Sequence, residues 1–212
     1  MAESNPTFST GIRYLDMQAG GGVPAGDIVV LTAPPNSQSE TIFQEFASAE
    51  PTVYLSTTAQ DTDELRARLE PSGIPAEDLT VGHLDPTAFL DDPEKFVGDL
   101  PPESVVVVDP VDLLESGPRG AYLASLNLLK SRLRETDSVA LLHCLSDTPV
   151  PDHRALTLKR ADHIWSLRQT IENGELQTTL YVPKSRIGAI IADGISIELT
   201  DGVQIDTSRN IA

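Results

Sequence analysis

Leu31-Thr32-Ala33-Pro34-Pro35-Asn36-Ser37-Gln38-Ser39-Glu40-Thr41-Ile42 decides the reading of this chain. It follows an apolar run, Ile28-Val29-Val30-Leu31, and leads into Thr41-Ile42-Phe43-Gln44-Glu45-Phe46, whose apolar residues return at helical spacing. Strand, loop of small residues, helix is therefore the local layout.

That layout is the frame of a phosphate-cradling P-loop, G-x-x-x-x-G-K-[ST]. Ala33 stands at the first Gly of the motif, Gln38 at the second, Ser39 at the Lys and Glu40 at the Ser/Thr. In a working P-loop, backbone N–H groups hold phosphate, the Lys ammonium bridges its outer oxygens, and the hydroxyl holds magnesium. Glycine is needed where the backbone passes close to phosphate. Here Gln38 brings a Cβ and an amide, Ser39 removes the cation, and Glu40 sets a carboxylate where the hydroxyl belongs, although Thr41 offers a shifted one. Each charge-assisted bond lost is worth about 1.5–3 kcal/mol. No Lys or Arg lies between Arg13 and Arg66, so no base near in sequence substitutes.

Outward from the loop, Thr52–Thr57, Leu79–Leu84, Ser104–Asp109 and Ser138–Cys144 read as buried strands. Thr62 to Leu69, capped by Asp61 or Thr62 and stopped by Pro71 and Gly73, reads as a helix; so do Phe89–Val97 and Tyr122–Leu133. The run Val105-Val106-Val107-Val108 must be covered on both faces, which argues a parallel sheet. A helix ending at Arg160 precedes strands at 162–168 and 176–182, joined by a hairpin at Glu172-Asn173-Gly174-Glu175. Strands at 195–199 and 203–205 follow, split by Asp201-Gly202. The expectation is one α/β domain over residues 11–206, with a loose lead-in at 1–10 and a tail at 207–212. Its sheet is mostly parallel and ends in an antiparallel β-meander.

The chain has 212 residues and a net charge of −17, from 32 acids and 15 bases, of which four are lysine (Lys95, Lys130, Lys159, Lys184). The acids are scattered rather than blocked into a tail, which reads as adaptation of a salt-loving cytoplasmic protein rather than as mimicry of nucleic acid. No long apolar run suggests a membrane span, and the first residues lack the pattern of a signal peptide. One cysteine, Cys144, excludes an internal disulfide and a cysteine-built zinc site. His83, His143, His153 and His163 lack metal-ligand spacing, so no metal site is expected.

The order of the pieces resembles a KaiC-like domain of the RecA superfamily of P-loop ATPases. The stretches that carry the resemblance are Gly11-Ile12-x-x-Leu15-Asp16, Gly20-Gly21-Gly22-Val23-Pro24-x-Gly26, Val29–Pro35, Val53–Ser56, Val105–Asp109, Arg160–Ile164 and Lys184-Ser185-Arg186. It covers roughly residues 8–200 and implies a RecA-like three-layer sandwich. It also implies ATP with magnesium as the family's ligand, Asp109 as the Walker B carboxylate, and Lys184 and Arg186 as a finger reaching a neighbour's γ-phosphate. Where relatives carry adjacent acids after the second strand, one of them the base, this chain has Thr57, Thr58 and Ala59. Asp61, Asp63 and Glu64 look like helix-start residues.

The residues leave alternatives at these points. Asp109 reads equally as a strand-end acid capping the Pro110 turn, and Lys184 and Arg186 as surface bases after an edge strand. His143-Cys144 reads as a packed strand end, with Ser146 able to fill a polar sensor position. Trp165 and Tyr181 read as packing residues. Gly117-Pro118-Arg119-Gly120, at the place of a DNA-facing loop, has one base and no aromatic.

Two parts of the catalytic machinery are changed together, so the reading leans against an enzyme. It expects a pseudo-ATPase acting as a regulatory or assembly subunit, partnered by itself or by an active KaiC/RecA-like paralogue, and no cofactor is assigned. The alternatives are a divergent ATPase that binds ATP and magnesium weakly, and a recombinase-paralogue-type DNA accessory factor, which charge and the sparse loop disfavour.

Overall fold

Each of the apolar runs forms a strand, and their alternation divides the core in two. The computed structural model describes residues 6–47, 50–58, 61–69, 74–146, 149–172, 174–200 and 202–205. The expectations at Ala59, Pro71, Gly73, Asn173, Asp201 and the 207–212 tail lie outside the described residues.

In chain order the elements are β1 (Thr7–Phe8), α1 (Arg13–Ala19), β2 (Val23–Pro24), β3 (Ile28–Ala33), α2 (Glu40–Ala47), β4 (Thr52–Ser56), α3 (Thr62–Leu69) and β5 (Leu79–His83). There follow α4 (Pro86–Asp91), α5 (Glu94–Val97), β6 (Val105–Asp109), α6 (Asp112–Glu115), α7 (Arg119–Glu135), β7 (Val139–Leu145) and α8 (Arg154–Arg160). The chain closes with β8 (His163–Glu172), β9 (Glu175–Lys184), β10 (Ile191–Leu199) and β11 (Val203–Ile205). A nine-stranded sheet runs β11-β10-β9-β8-β3-β7-β6-β4-β5. Neighbours from β8 to β5 are parallel, and β8 through β11 pair antiparallel in succession. This is the expected α/β architecture with its terminal meander.

Because side chains alternate across a strand, odd and even residues of one run enter different layers. Val105 and Val107 pack with α1, α2 and α3, where Leu15, Ile42, Phe43, Phe46 and Leu65 lie. Val106 and Val108 pack with Phe89, Leu114, Tyr122, Leu126 and Leu133 on the opposite face. The two faces make the three-layer sandwich. In the first layer the ring of Trp165 on β8 meets Phe46 of α2 edge-on, centroids 5.8 Å apart.

Several boundaries move for physical reasons. Phe8 is buried and β1 pairs with β2, so part of the expected lead-in belongs to the fold. At Gly22, φ is 124° and a Cβ would stand 2.1 Å from the Phe8 carbonyl oxygen; that approach is what the glycine cluster serves. The single helix expected over 89–97 is two, α4 and α5, with Pro93 between them. The first begins early because Asp85 caps it, accepting from the Ala88 N–H at 2.8 Å, with Pro86 next. Lys184 and Arg186 do not follow an edge strand: β9 lies between β8 and β10.

Candidate functional site

The loop ends at the carboxyl ends of the parallel strands, where ligands of open α/β sheets bind. It turns on itself: the Ser37 hydroxyl donates to the Pro34 carbonyl at 2.6 Å, and the Ser37 N–H bonds the same oxygen at 3.1 Å. Gln38 adopts φ 52°, so the left-handed backbone that favours glycine is kept with a side chain on it, and that side chain is exposed. The next residue, Ser39, is buried, at 3% exposure, and immediately precedes α2.

Beneath Ser39 the alternation of three strands converges. Tyr54 belongs to the first layer, and Asp109 and His143 share parity with Val107 and Leu141 of that layer, so all three face α2. The pairing of Val108 with Leu142, continued one residue, sets Asp109 beside His143. The contacts follow. His143 Nδ1 lies 2.6 Å from Asp109 Oδ1, the Tyr54 hydroxyl donates to Asp109 Oδ2 at 2.5 Å, and His143 Nε2 lies 3.4 Å from Ser39 Oγ. Phe43 of α2 packs edge-on to the imidazole, centroids 4.9 Å apart. Burial, and then the Asp109 charge, push the Tyr54 phenol far up, so it stays a proton donor. A cavity of about 220 Å³ opens here, lined by Ser39, Glu40, Tyr54, Asp109, His143 and Arg68 among others.

Two of these residues, Tyr54 and Arg68, are not singled out by the sequence, and a third, His143, is read there only as packing. Tyr54 was one apolar-strand residue among several. His143 and Cys144 are packed near the end of β7, as read, but on opposite faces: parity turns His143, 4% exposed, to the cavity and sends Cys144 to the opposite core. Arg68 is remote in sequence yet lines the cavity, held by Glu64 at 3.2 Å. Asp109 is not a turn cap, because its carboxylate is spent on Tyr54 and His143.

After β4, the buried Thr57 ties that strand to the end of β6 through its hydroxyl to the Pro110 carbonyl, 2.7 Å. Thr58 is exposed. Asp61 does cap α3, accepting from the N–H groups of Asp63 and Glu64 at 3.0 and 3.1 Å. Thr41 is half-buried, and its N–H bonds the Gln38 carbonyl. The set fits magnesium triphosphate badly. Among the described residues the cavity is lined by no lysine, its one base is Arg68, Glu40 adds negative charge, and the Asp109 carboxylate already accepts two short hydrogen bonds. Among the described residues no group of three or more His, Cys, Asp and Glu is placed to hold a metal.

Lys184 and Arg186 lie at the other end of the sheet, beside the starts of β3 and β8. The Lys184 ammonium donates to the Ala161 carbonyl at 2.5 Å, closing the end of α8. Arg186 pairs with the buried Asp27 at 2.8 and 2.9 Å. Asp27 also meets His163 Nε2 at 3.0 Å and Lys130 at 3.3 Å. Burial would raise the Asp27 pKa; the hydrogen bonds from His163 and Arg186 and the charge of Lys130 outweigh it, and the pKa is lowered. The cleft here, about 620 Å³, gathers Lys130, Arg134, Lys159, Arg160, Lys184 and Arg186. The Gly117–Gly120 stretch leads into α7, with Arg119 as its first residue.

The family model "Family of unknown function (DUF7125)" matches residues 7–212. No curated protein matches the chain. Among solved structures, a KaiC-like protein from the hyperthermophilic archaeon Pyrococcus horikoshii OT3 superposes with a TM-score of 0.73 at 17% identity. The match covers 95% of this chain and 99% of that one, so the two share a fold. Among the described residues no helix is long and apolar enough to cross a membrane.

Proposed function

The chain belongs to this family of unknown function, and we propose that it is a pseudo-ATPase, a KaiC/RecA-like protein serving as a regulatory or assembly subunit. The observation that carries the reading is the state of Asp109. The carboxylate that would join a magnesium shell is held by Tyr54 and His143, and the position of the phosphate lysine holds Ser39, turned toward the same histidine. With these groups bonded to one another and not to nucleotide, the regulatory or assembly role falls to the surfaces of the scaffold. Its partners are a second copy or an active KaiC-like relative, in the cytoplasm of a salt-loving host.

Calorimetric titration with ATP and magnesium, at low and at molar salt, tests the first half. The expected result is no saturable binding up to about 1 mM, a free energy weaker than about 4 kcal/mol, and no phosphate release. Micromolar binding with turnover abolished by Asp109→Ala overturns it. For the second half, the tagged chain is recovered from its host and its partners identified. Recovery of itself or of an active P-loop ATPase is expected, and a strictly monomeric chain with no such partner refutes the role.

A further inference from the structure

Ser39, His143 and Asp109 stand in the order of a nucleophile, its base and the group that orients the base. From this geometry we propose that the rebuilt cavity is a hydrolytic site for short, uncharged carboxylic esters, with Ser39 as nucleophile and His143 as general base. The inference goes beyond loss of ATPase activity and rests on the hydrogen-bonded chain itself.

Four observations carry it. First, a carboxylate only accepts, so the 2.6 Å contact with Asp109 Oδ1 fixes the proton on His143 Nδ1. The bare Nε2 is then turned to Ser39 Oγ, 3.4 Å away. That spacing suits a site without substrate, where such contacts are looser than in the reacting complex. Second, the orienting carboxylate is itself anchored by the Tyr54 hydroxyl on its other oxygen, and Phe43 presses on the ring, so the imidazole is held from two sides. Third, Ser39 sits at a strand–loop–helix junction, and the Glu40 N–H, at the start of α2, has no hydrogen-bond partner among the described residues. That donor adjoins the nucleophile, where oxyanion charge would gather. Fourth, Ser39, His143 and Asp109 all line the same cavity, whose about 220 Å³ admits only a small acyl group between Pro35, Leu65, Leu69 and Leu145. Glu40 and Arg68 line the cavity with opposite charges, so neither an anionic nor a cationic ester is favoured there.

The chemistry closes without any co-reactant but water. Ser39 Oγ bonds to the ester carbonyl carbon while its proton passes to His143 Nε2. The bond to the alcohol oxygen breaks, and the departing alcohol takes that proton, leaving acyl-Ser39. A water molecule then gives its proton to Nε2 and adds to the acyl carbon. The carbon–Oγ bond breaks, the proton returns to Ser39, and a carboxylic acid is released. Asp109 and Tyr54 are positioning residues; they act through His143.

The test is labelling of the folded full-length chain with an uncharged fluorophosphonate, the adduct being located by mass spectrometry, alongside p-nitrophenyl acetate hydrolysis. One adduct, on Ser39, is expected. His143→Gln and Asp109→Asn should slow its formation at least about a hundredfold while circular dichroism stays native, and Ser39→Ala should abolish both readouts. Absence of an adduct on the native protein overturns the proposal. So does an adduct on another residue alone, or labelling of Ser39 that is as fast in folded His143→Gln as in the parent. None of these results bears on ATP binding, which the titration above decides separately.

Discussion

Gln38 holds a left-handed conformation that glycine would take without strain. Gln38→Gly is expected to raise stability by up to about 1 kcal/mol, because relief of backbone strain outweighs the added freedom of the unfolded chain. Urea denaturation checks this, and a loss of stability would count against a strained loop. Asp27 is the opposite case, a 2% exposed carboxylate with three basic partners. Asp27→Asn leaves Lys130 and Arg186 to share Asp162 alone and takes the carboxylate from His163, and should cost about 3 kcal/mol at neutral pH. The sign with pH follows from its lowered pKa. The stabilisation is complete above the ordinary value of 3.8 and is lost as pH falls through the folded value. The gap between parent and variant should therefore narrow in denaturation curves taken below about pH 4. At this scale the sequence was legible where a motif position named the residue: Ser39, Gln38 and Asp109 were singled out by the loop and strand frame. Tyr54 was not, and His143 was read only as packing, because their role arises from strand parity and register, which bring together residues 55 and 34 positions from Asp109.

Elements were legible wherever apolar spacing was strong, as in β3, β6 and β7, and less so where punctuation decided the outcome, as in α4 and α5 around Pro93. Asp85 starts α4, and Asp85→Ala should cost about 1 kcal/mol, read as a shift in thermal midpoint; no shift would make the cap idle. A stronger tie joins α6, α8 and the end of β7. Arg154 Nε meets both carboxylate oxygens of the fully buried Glu115, at 2.7 and 3.0 Å, and its guanidinium also reaches Asp112 and the Leu145 carbonyl. Thr157 donates to Glu115 as well. Burial raises the Glu115 pKa despite these partners. Arg154→Met should cost about 3 kcal/mol at pH 7 by stranding the carboxylate. The deficit should shrink as acid neutralises Glu115, since a raised carboxyl pKa stabilises the fold below the unfolded value and loses that effect as pH rises. If Glu115→Leu with Arg154→Met is no more stable than Arg154→Met alone, the stranded charge is not the cause.

Charge is the property that only the whole molecule displays. Six of the 15 bases line one cleft of a chain whose net charge is −17, so the remaining surface is more acidic than the total suggests. Self-repulsion of that surface should weaken as salt shortens the Debye length from about 10 Å at 0.1 M to about 3 Å at 1 M. The urea midpoint is expected to climb with KCl across that range, and a flat response would remove the case for salt adaptation. Composition is enough to raise that expectation, but the cleft is invisible in it, because Lys130, Lys159 and Lys184 come together only when α7, α8 and β9 pack. One further property follows from the packing of Trp165 on Phe46. It is the chain's sole tryptophan, and its neighbour rides on the helix that begins beside Ser39. Intrinsic emission is therefore a built-in optical gauge of whether α2 is seated. A red shift that precedes global melting would mark the moment that helix lifts away, with no dye attached.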